Sequence, residues 1–416
     1  MSEGVDTVGL DTPPRLAVDG LLDDPQTRII VCCGAGGVGK TTTAAALGVR
    51  AAERGRKAVV LTIDPARRLA QSMGIDSLDN TPRRVTGVGA AAADDGELHA
   101  MMLDMKRTFD EIVETHADGE RAQAILANPF YQSLSAGFAG TQEYMAMEKL
   151  GQLRARDDWD LIIVDTPPSR SALDFLDAPK RLGSFLDGKF IRVLMAPAKV
   201  GGRAGMKFLN VGMSMMTGTL SKLMGASLLK DVQTFVAAMD TMFGGFRTRA
   251  DATFRLLQAP GTAFLVVAAP EPDALREAAY FVERLAAEKM PLAGLVLNRV
   301  HGSGADQLSA ERALAAAENL EDRGIVDQEP GKAGLRDSAD DGSPAPDVDE
   351  ITAGLLRLHA ERMQVIARER RTRDRFTSLH PEVAVAEVAA LPGDVHDLAG
   401  LRAIGERLAA GVPAGA

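Results

Sequence analysis

The sequence predicts an α/β fold, a mostly parallel sheet with helices on both faces. Three observations carry that prediction. Short apolar runs alternate with amphipathic stretches along most of the 416 residues. The first run, Arg28–Cys33, feeds into Gly34–Thr41, which matches G-x-x-x-x-G-K-[ST], and an Ala-rich helical stretch begins at Thr42. Later runs end in Asp64, Asp165 and Asn298, polar residues that a parallel sheet gathers at one edge.

The elements follow in order. Residues 1–26 are polar, with Pro13–Pro14 and acidic turns, and read as a mobile tail or loose cover. Residues 27–416 read as one domain. Lys57–Ile63 is a buried strand by composition, followed by Asp64-Pro65-Ala66 and a helix over Arg67–Met73. Glu97–Met105 reads as a strand, and Lys106–Ala127 and Thr141–Arg156 have helical period. Trp159–Val164 is a strand running into Asp165-Thr166-Pro167-Pro168-Ser169. Thr262–Ala269, Pro291–Leu297 and Val383–Ala389 are further strands, separated by helices over Asp273–Glu288, Ala305–Glu321 and Ile351–Arg375. A last helix follows Leu391–Asp397. Gln328–Asp349 is acidic with Gly and Pro, and reads as an exposed mobile loop. Residues 104–156 and 179–250 form a helical, partly Met-rich subdomain by composition.

The chemistry begins with the glycine loop. Gly34, Ala35, Gly36, Gly37, Val38, Gly39, Lys40, Thr41 and Thr42 form a phosphate-binding set. Glycines there let consecutive N–H groups turn inward on a polyphosphate, with a helix dipole behind them. Lys40 would reach the β- and γ-phosphates, and the Thr41 hydroxyl would ligate Mg²⁺. Asp165, at a strand end, suits a Mg²⁺ shell reached through water. Asp64 is placed to accept a hydrogen bond from water attacking the γ-phosphorus. The planar amide of Asn298 has donors and an acceptor for an adenine edge.

Composition sets limits. A net charge of −10 argues against a nucleic-acid partner held by a general field. The only cysteines, Cys32 and Cys33, are strand neighbours pointing to opposite faces, suited neither to a mutual disulfide nor to a metal clamp. The N-terminus has no apolar leader, and a reducing cytoplasm is the simplest reading; peripheral attachment to a membrane is compatible with it. Phe208–Leu229 is too interrupted by Lys222, Gly and Ser to read as a transmembrane span.

Gly34–Thr42, Asp64-Pro65-Ala66, Asp165–Ser169 and Asn298 together resemble the ArsA/Get ATPases, arsenite-pump motors and tail-anchored-protein targeting factors of the deviant-Walker P-loop NTPase type. The resemblance covers most of the chain from Arg28 onward. It implies a seven- or eight-stranded sheet, a nucleotide-sandwich dimer and ATP hydrolysis with Mg²⁺. It assigns Lys40 and Thr41 to phosphates and Mg²⁺, Asp64 to water activation, Asp165 to the Mg²⁺ shell and Asn298 to adenine. Leu391-Pro392-Gly393-Asp394 resembles the family's late adenine-side loop, which places Pro392 near the base.

The departures are informative. The family's signature lysine, second in the loop, is Ala35 here. A methyl cannot neutralise transition-state charge. Either this chain pairs with a different, lysine-bearing chain, the favoured heterodimer, or a homodimer draws on another cation such as Arg170. Two cysteines and no C-x-x-C leave no three-thiolate arsenite site and no dimer-stapling zinc. Eight methionines between Met195 and Met242 suit a groove for a client's apolar helix, with lid packing as the alternative. An ATP-binding scaffold subunit with little hydrolysis is the other class of function left open.

Overall fold

The structure, a computed structural model, describes residues 13–64, 68–89, 96–135, 141–167, 245, 248–326 and 348–410. Its strands are β1 Ile29–Cys33, β2 Lys57–Thr62, β3 Arg83–Arg84, β4 Glu97–Met102, β5 Leu161–Asp165, β6 Thr262–Ala268, β7 Leu292–Val300 and β8 Val385–Ala389. They form one eight-stranded sheet in the order β3-β4-β2-β5-β1-β6-β7-β8. Every pairing is parallel except the short β3 against β4.

The helices are α1 Val18–Asp23, α2 Lys40–Glu53, α3 Arg68–Ser72, α4 Met105–His116, α5 Gly119–Leu126, α6 Pro129–Ser135, α7 Thr141–Arg156, α8 Pro272–Ala287, α9 Ala310–Val326, α10 Val348–Leu379 and α11 Leu398–Ala410. A further helical stretch covers 248–258. Helices on both faces bury the central strands, which is why β1, β5 and β6 are buried along their whole length without alternation. Consecutive β1 side chains divide between two cores. Ile30 and Cys32 join the α2 and α11 face, and Ile29, Val31 and Cys33 the α4, α7 and α8 face. α2 lies close to the sheet because Gly48 has no side chain; a Cβ there would stand 2.6 Å from Val60 Cγ2.

Several elements differ from their expected bounds. The strand expected to reach Met105 stops at Met102, because Asp104 accepts from the Arg107 amide at 2.9 Å and caps α4. The helical period of Lys106–Ala127 is two helices, broken where Ala117 turns extended. β7 runs on to Val300 through a register shift, with Arg299 left-handed at φ 63°. Asn298 therefore lies inside the strand and not after it. α9 starts at Ala310, after a turn over 305–308. Val348 and Asp349, expected in the acidic loop, begin α10; residues 328–347 lie outside the described residues, as do 179–244, 246 and 247 of the Met-rich stretch.

The tail reading fails for residues 13–26. The Val385 amide donates to Pro14 O, and the Leu16 amide donates to Val385 O, so this segment edges β8. Leu16, Val18 and Leu22 are buried. Asp19 and Asp23 pair with Arg50 on α2 and Arg54 at its C-terminal end. The Arg56 guanidinium donates to the carbonyls of Leu22, Asp24, Thr27 and Asp160 at 2.6–2.9 Å. The acids that gave the segment its polar look are thus spent on a neighbouring helix.

Candidate nucleotide site at the carboxyl edge

The loop after β1 is held by close backbone contacts. Gly34 has φ +146°, and a Cβ on it would stand 2.0 Å from Val267 O on β6. Gly39, the residue before α2, is left-handed at φ +95°, and its Cβ would meet Asn298 Nδ2 at 2.3 Å. No larger residue fits either place. Gly37 is also left-handed, at φ +77°, with open space beside it, whereas Gly36 does not take a positive φ. The loop then opens into a 14-residue helix whose first turn faces the same edge, a geometry that favours anions.

Lys40 is 5% exposed, and its Nζ donates to Ala35 O at 2.7 Å, closing the loop on itself. Burial lowers its pKa, against the pull of Asp165. The Ala35 methyl is buried in the α2-side core. Thr41 and Thr42 are half-buried beside it.

Asp165 is the electrostatic centre. Its Oδ2 accepts from the hydroxyls of Thr41 and Thr62, each at 2.8 Å. Its Oδ1 is buried with no hydrogen-bond partner. Burial pushes the carboxyl up to about 6, the two hydroxyls pulling the other way. A fully buried carboxylate with one oxygen unsatisfied is costly alone and fits the water shell of Mg²⁺, with the Thr41 hydroxyl next to it.

Thr62 was not singled out by the sequence reading. Its hydroxyl donates to Asp165 and accepts from the Asp64 amide at 3.2 Å, tying the ends of β2 and β5 together. The available signal was one hydroxyl closing the otherwise apolar strand KAVVLT. Asp64 itself is half-buried just beyond it. Pro65 and Ala66, and Pro168, Ser169 and Arg170, lie outside the described residues.

On the other side of the loop, Asn298 Nδ2 donates to Val38 O at 2.8 Å, and the residue is 7% exposed. The amide expected to read a base holds the phosphate loop in this structure. Pro392 lies exposed past β8, where Ala390 N donates to Val300 O at 2.9 Å. β8 is three strands from β1, about 14 Å across the sheet. The fold thus gathers Gly34–Thr42, Asp64, Asp165 and Asn298, with Asp64 to one side of the loop and Asn298 and Pro392 to the other. Among the described residues no group of three or more His, Cys, Asp or Glu side chains forms a metal cluster.

Comparison with known proteins bears on the family. The family model described as anion-transporting ATPase matches residues 27–322. The chain is 30% identical to an ATPase GET3 from Malassezia globosa over 176 residues, 42% of this chain and 49% of that protein. It is 25% identical over 301 residues to an ATPase GET3 from Podospora anserina, 71% of this chain and 80% of that one. An ATPase ARSA2 from Chlamydomonas reinhardtii is 26% identical over 291 residues, 69% and 72% of the two chains. The match spans about half the length of the Malassezia protein and most of the other two. With a P-loop at the carboxyl edge of an eight-stranded sheet and a family match over most of its length, the chain belongs to the anion-transporting (ArsA) ATPase family.

Proposed function

We propose that the chain binds and hydrolyses ATP with Mg²⁺ at this edge, in the cytoplasm, and that the nucleotide opens and closes a dimer holding an apolar-helix or membrane-protein client. The observation that carries the reading is Asp165, buried beside the phosphate loop with two hydroxyls on one oxygen and none on the other. The family relatives named ATPases support the same activity.

The residues divide the work. The Gly34–Gly39 backbone and the α2 N-terminus bind the phosphates. Lys40 leaves Ala35 O, from which it is separable at the expense of one hydrogen bond, and pairs with the β- and γ-oxygens. Thr41 and, through water, Asp165 would hold Mg²⁺, which would supply charge neutralisation to the phosphates. Asp64 accepts a proton from water as its oxygen bonds to the γ-phosphorus and ADP departs with the bridging oxygen. Asn298 and Pro392 lie on the base side. Because Asn298 already grips Val38 O, adenine recognition would couple the base to the loop.

The helical parts α4–α7 and 179–250 are proposed as the client-facing subdomain, supported by the Met-rich composition. Ala35 supports a heterodimer in which a second chain carries the missing lysine. It also supports a second reading, a nucleotide-binding scaffold subunit with little turnover. Phosphate release by the wild type, by Asp64→Asn and by the chain mixed with a lysine-bearing paralogue separates these. The ATPase reading expects Asp64→Asn to fall at least tenfold and the mixture to exceed the lone chain. Background release from wild type and mixture alike, with ATP still bound, favours the scaffold.

A further inference from the structure

α10 turns one row of residues toward the end of β7. His359, Arg362, Ile366, Glu369, Arg373 and Phe376 recur at alternating steps of three and four, the spacing of a single helix face. Ile366 and Phe376 are buried. The other four are polar, and three of them hold the segment between β7 and α9. His359 Nε2 lies 2.8 Å from Leu308 O, and Arg362 Nε donates to Gly302 O at 2.7 Å. Glu369 takes His301 twice: Oε2 accepts from its amide at 2.9 Å, and Oε1 lies 2.6 Å from its ring Nδ1. Arg373, the fourth, donates to Glu387 on β8 at 2.8 Å. The Glu369 side chain is only 12% exposed, whereas Glu361 and Asp374 on the same helix are exposed. Ile366 and Phe376 already supply apolar packing along the row, so a carboxylate desolvated between them serves the bonds it makes.

That grip comes just after a bend. Between Asn298 and Val300 the register of β7 against β8 shifts, and Arg299 takes φ 63°. A left-handed arginine is strained and persists only where its neighbours over-determine it. Asn298 and Val300 are fixed by pairing with Val388 and Ala389, and His301 is fixed by Glu369. Asn298, three residues before His301, is the side chain that donates to Val38 O in the phosphate loop. We propose that Glu369 is a positioning residue for that loop. By holding His301 it maintains the Arg299 bend, and the bend keeps the Asn298 amide on Val38 O. Any effect on ATP rests on the nucleotide reading above; the coupling of α10 to the loop does not.

The test is amide exchange on the full chain without nucleotide, joined to ATP titration. Glu369→Ala should speed exchange over Gly34–Lys40 as Asn298→Ala does, with α8 unchanged as the sign of an intact fold. The double variant should exchange no faster there than Asn298→Ala alone, because the two side chains act in series. Glu369→Gln, which keeps an acceptor for the His301 amide, should restore the wild-type loop. Arg357→Ala, which frees α10 from Glu321 on α9 but lies off the row, should leave the loop unchanged. His301→Ala loses the ring bond alone and should speed the loop to a smaller extent; it decides the matter if Glu369→Ala does not fold. ATP should weaken about tenfold in Asn298→Ala, about three- to tenfold in Glu369→Ala and no more than about tenfold in the double variant. A wild-type loop in a folded Glu369→Ala, or a double variant whose loop opens beyond that of Asn298→Ala, would overturn the proposal. If wild type binds no ATP, the nucleotide reading fails and loop exchange still decides this one.

Discussion

Asp165 concentrates the site's energetics. Its carboxyl is raised to about 6 from 3.8 by burial, so the folded protein holds this proton more tightly than the unfolded chain. The stabilisation is fully present below about pH 4 and is lost as pH climbs through about 6. At about 1.4 kcal/mol per pH unit, that shift makes the ionised group cost about 3 kcal/mol in metal-free protein at pH 8. Asp165→Asn, which still accepts from Thr41 and Thr62, should therefore be about 1–3 kcal/mol more stable than wild type at pH 8 in urea titrations with EDTA. The difference should vanish near pH 4; equal stability at both pH values would contradict it. Burial also raises both thiols, Cys33 to about 12. Neither of the two cysteines should react with a disulfide reagent in the folded state, and both should on unfolding. The placement of each on an opposite sheet face was readable from adjacency in a strand, as was Asp165 from the end of an apolar run. Thr62 was not, since a hydroxyl within a strand has no sequence sign of what it faces.

Among elements, the least legible are those whose roles come from distant neighbours. The bond between Asn298 and Val38 spans a sequence separation of 260, and only folding brings the two together. Asn298→Ala should speed amide exchange across Gly34–Lys40, leave α8 unchanged and weaken ATP about tenfold, the worth of one buried hydrogen bond. An unchanged loop would mean the contact carries no positioning. The same long reach ties α10 to the sheet edge: His301, just past β7, meets Glu369 at 2.6 Å, and Arg373 meets Glu387 on β8 at 2.8 Å, so the Arg-rich helix end is not wholly solvated. α1 was missed because six residues with two acids look like a loop by composition. Leu22, fully buried beneath it, tests the correction: Leu22→Ala should cost about 2–4 kcal/mol in urea unfolding, against nearly nothing for a loose tail.

At the scale of the molecule, alternation of strands and helices was enough to predict the parallel sheet and the edge at which its strand-end residues gather, because both follow from local pattern and handedness. Strand order, β3 and the break between α4 and α5 were beyond it, being settled by packing. No helix among the described residues is long and apolar enough to cross a membrane. The central claim is that strand ends far apart in sequence meet around one Mg²⁺-bound triphosphate. Equilibrium titration of ATP with and without Mg²⁺, on wild type, Lys40→Ala and Asp165→Asn, tests it most directly. The account predicts that Lys40→Ala weakens ATP by about 10–100-fold, the worth of a charged hydrogen bond, and that Asp165→Asn loses the Mg²⁺-dependent gain alone. Wild-type affinity in both variants would contradict it.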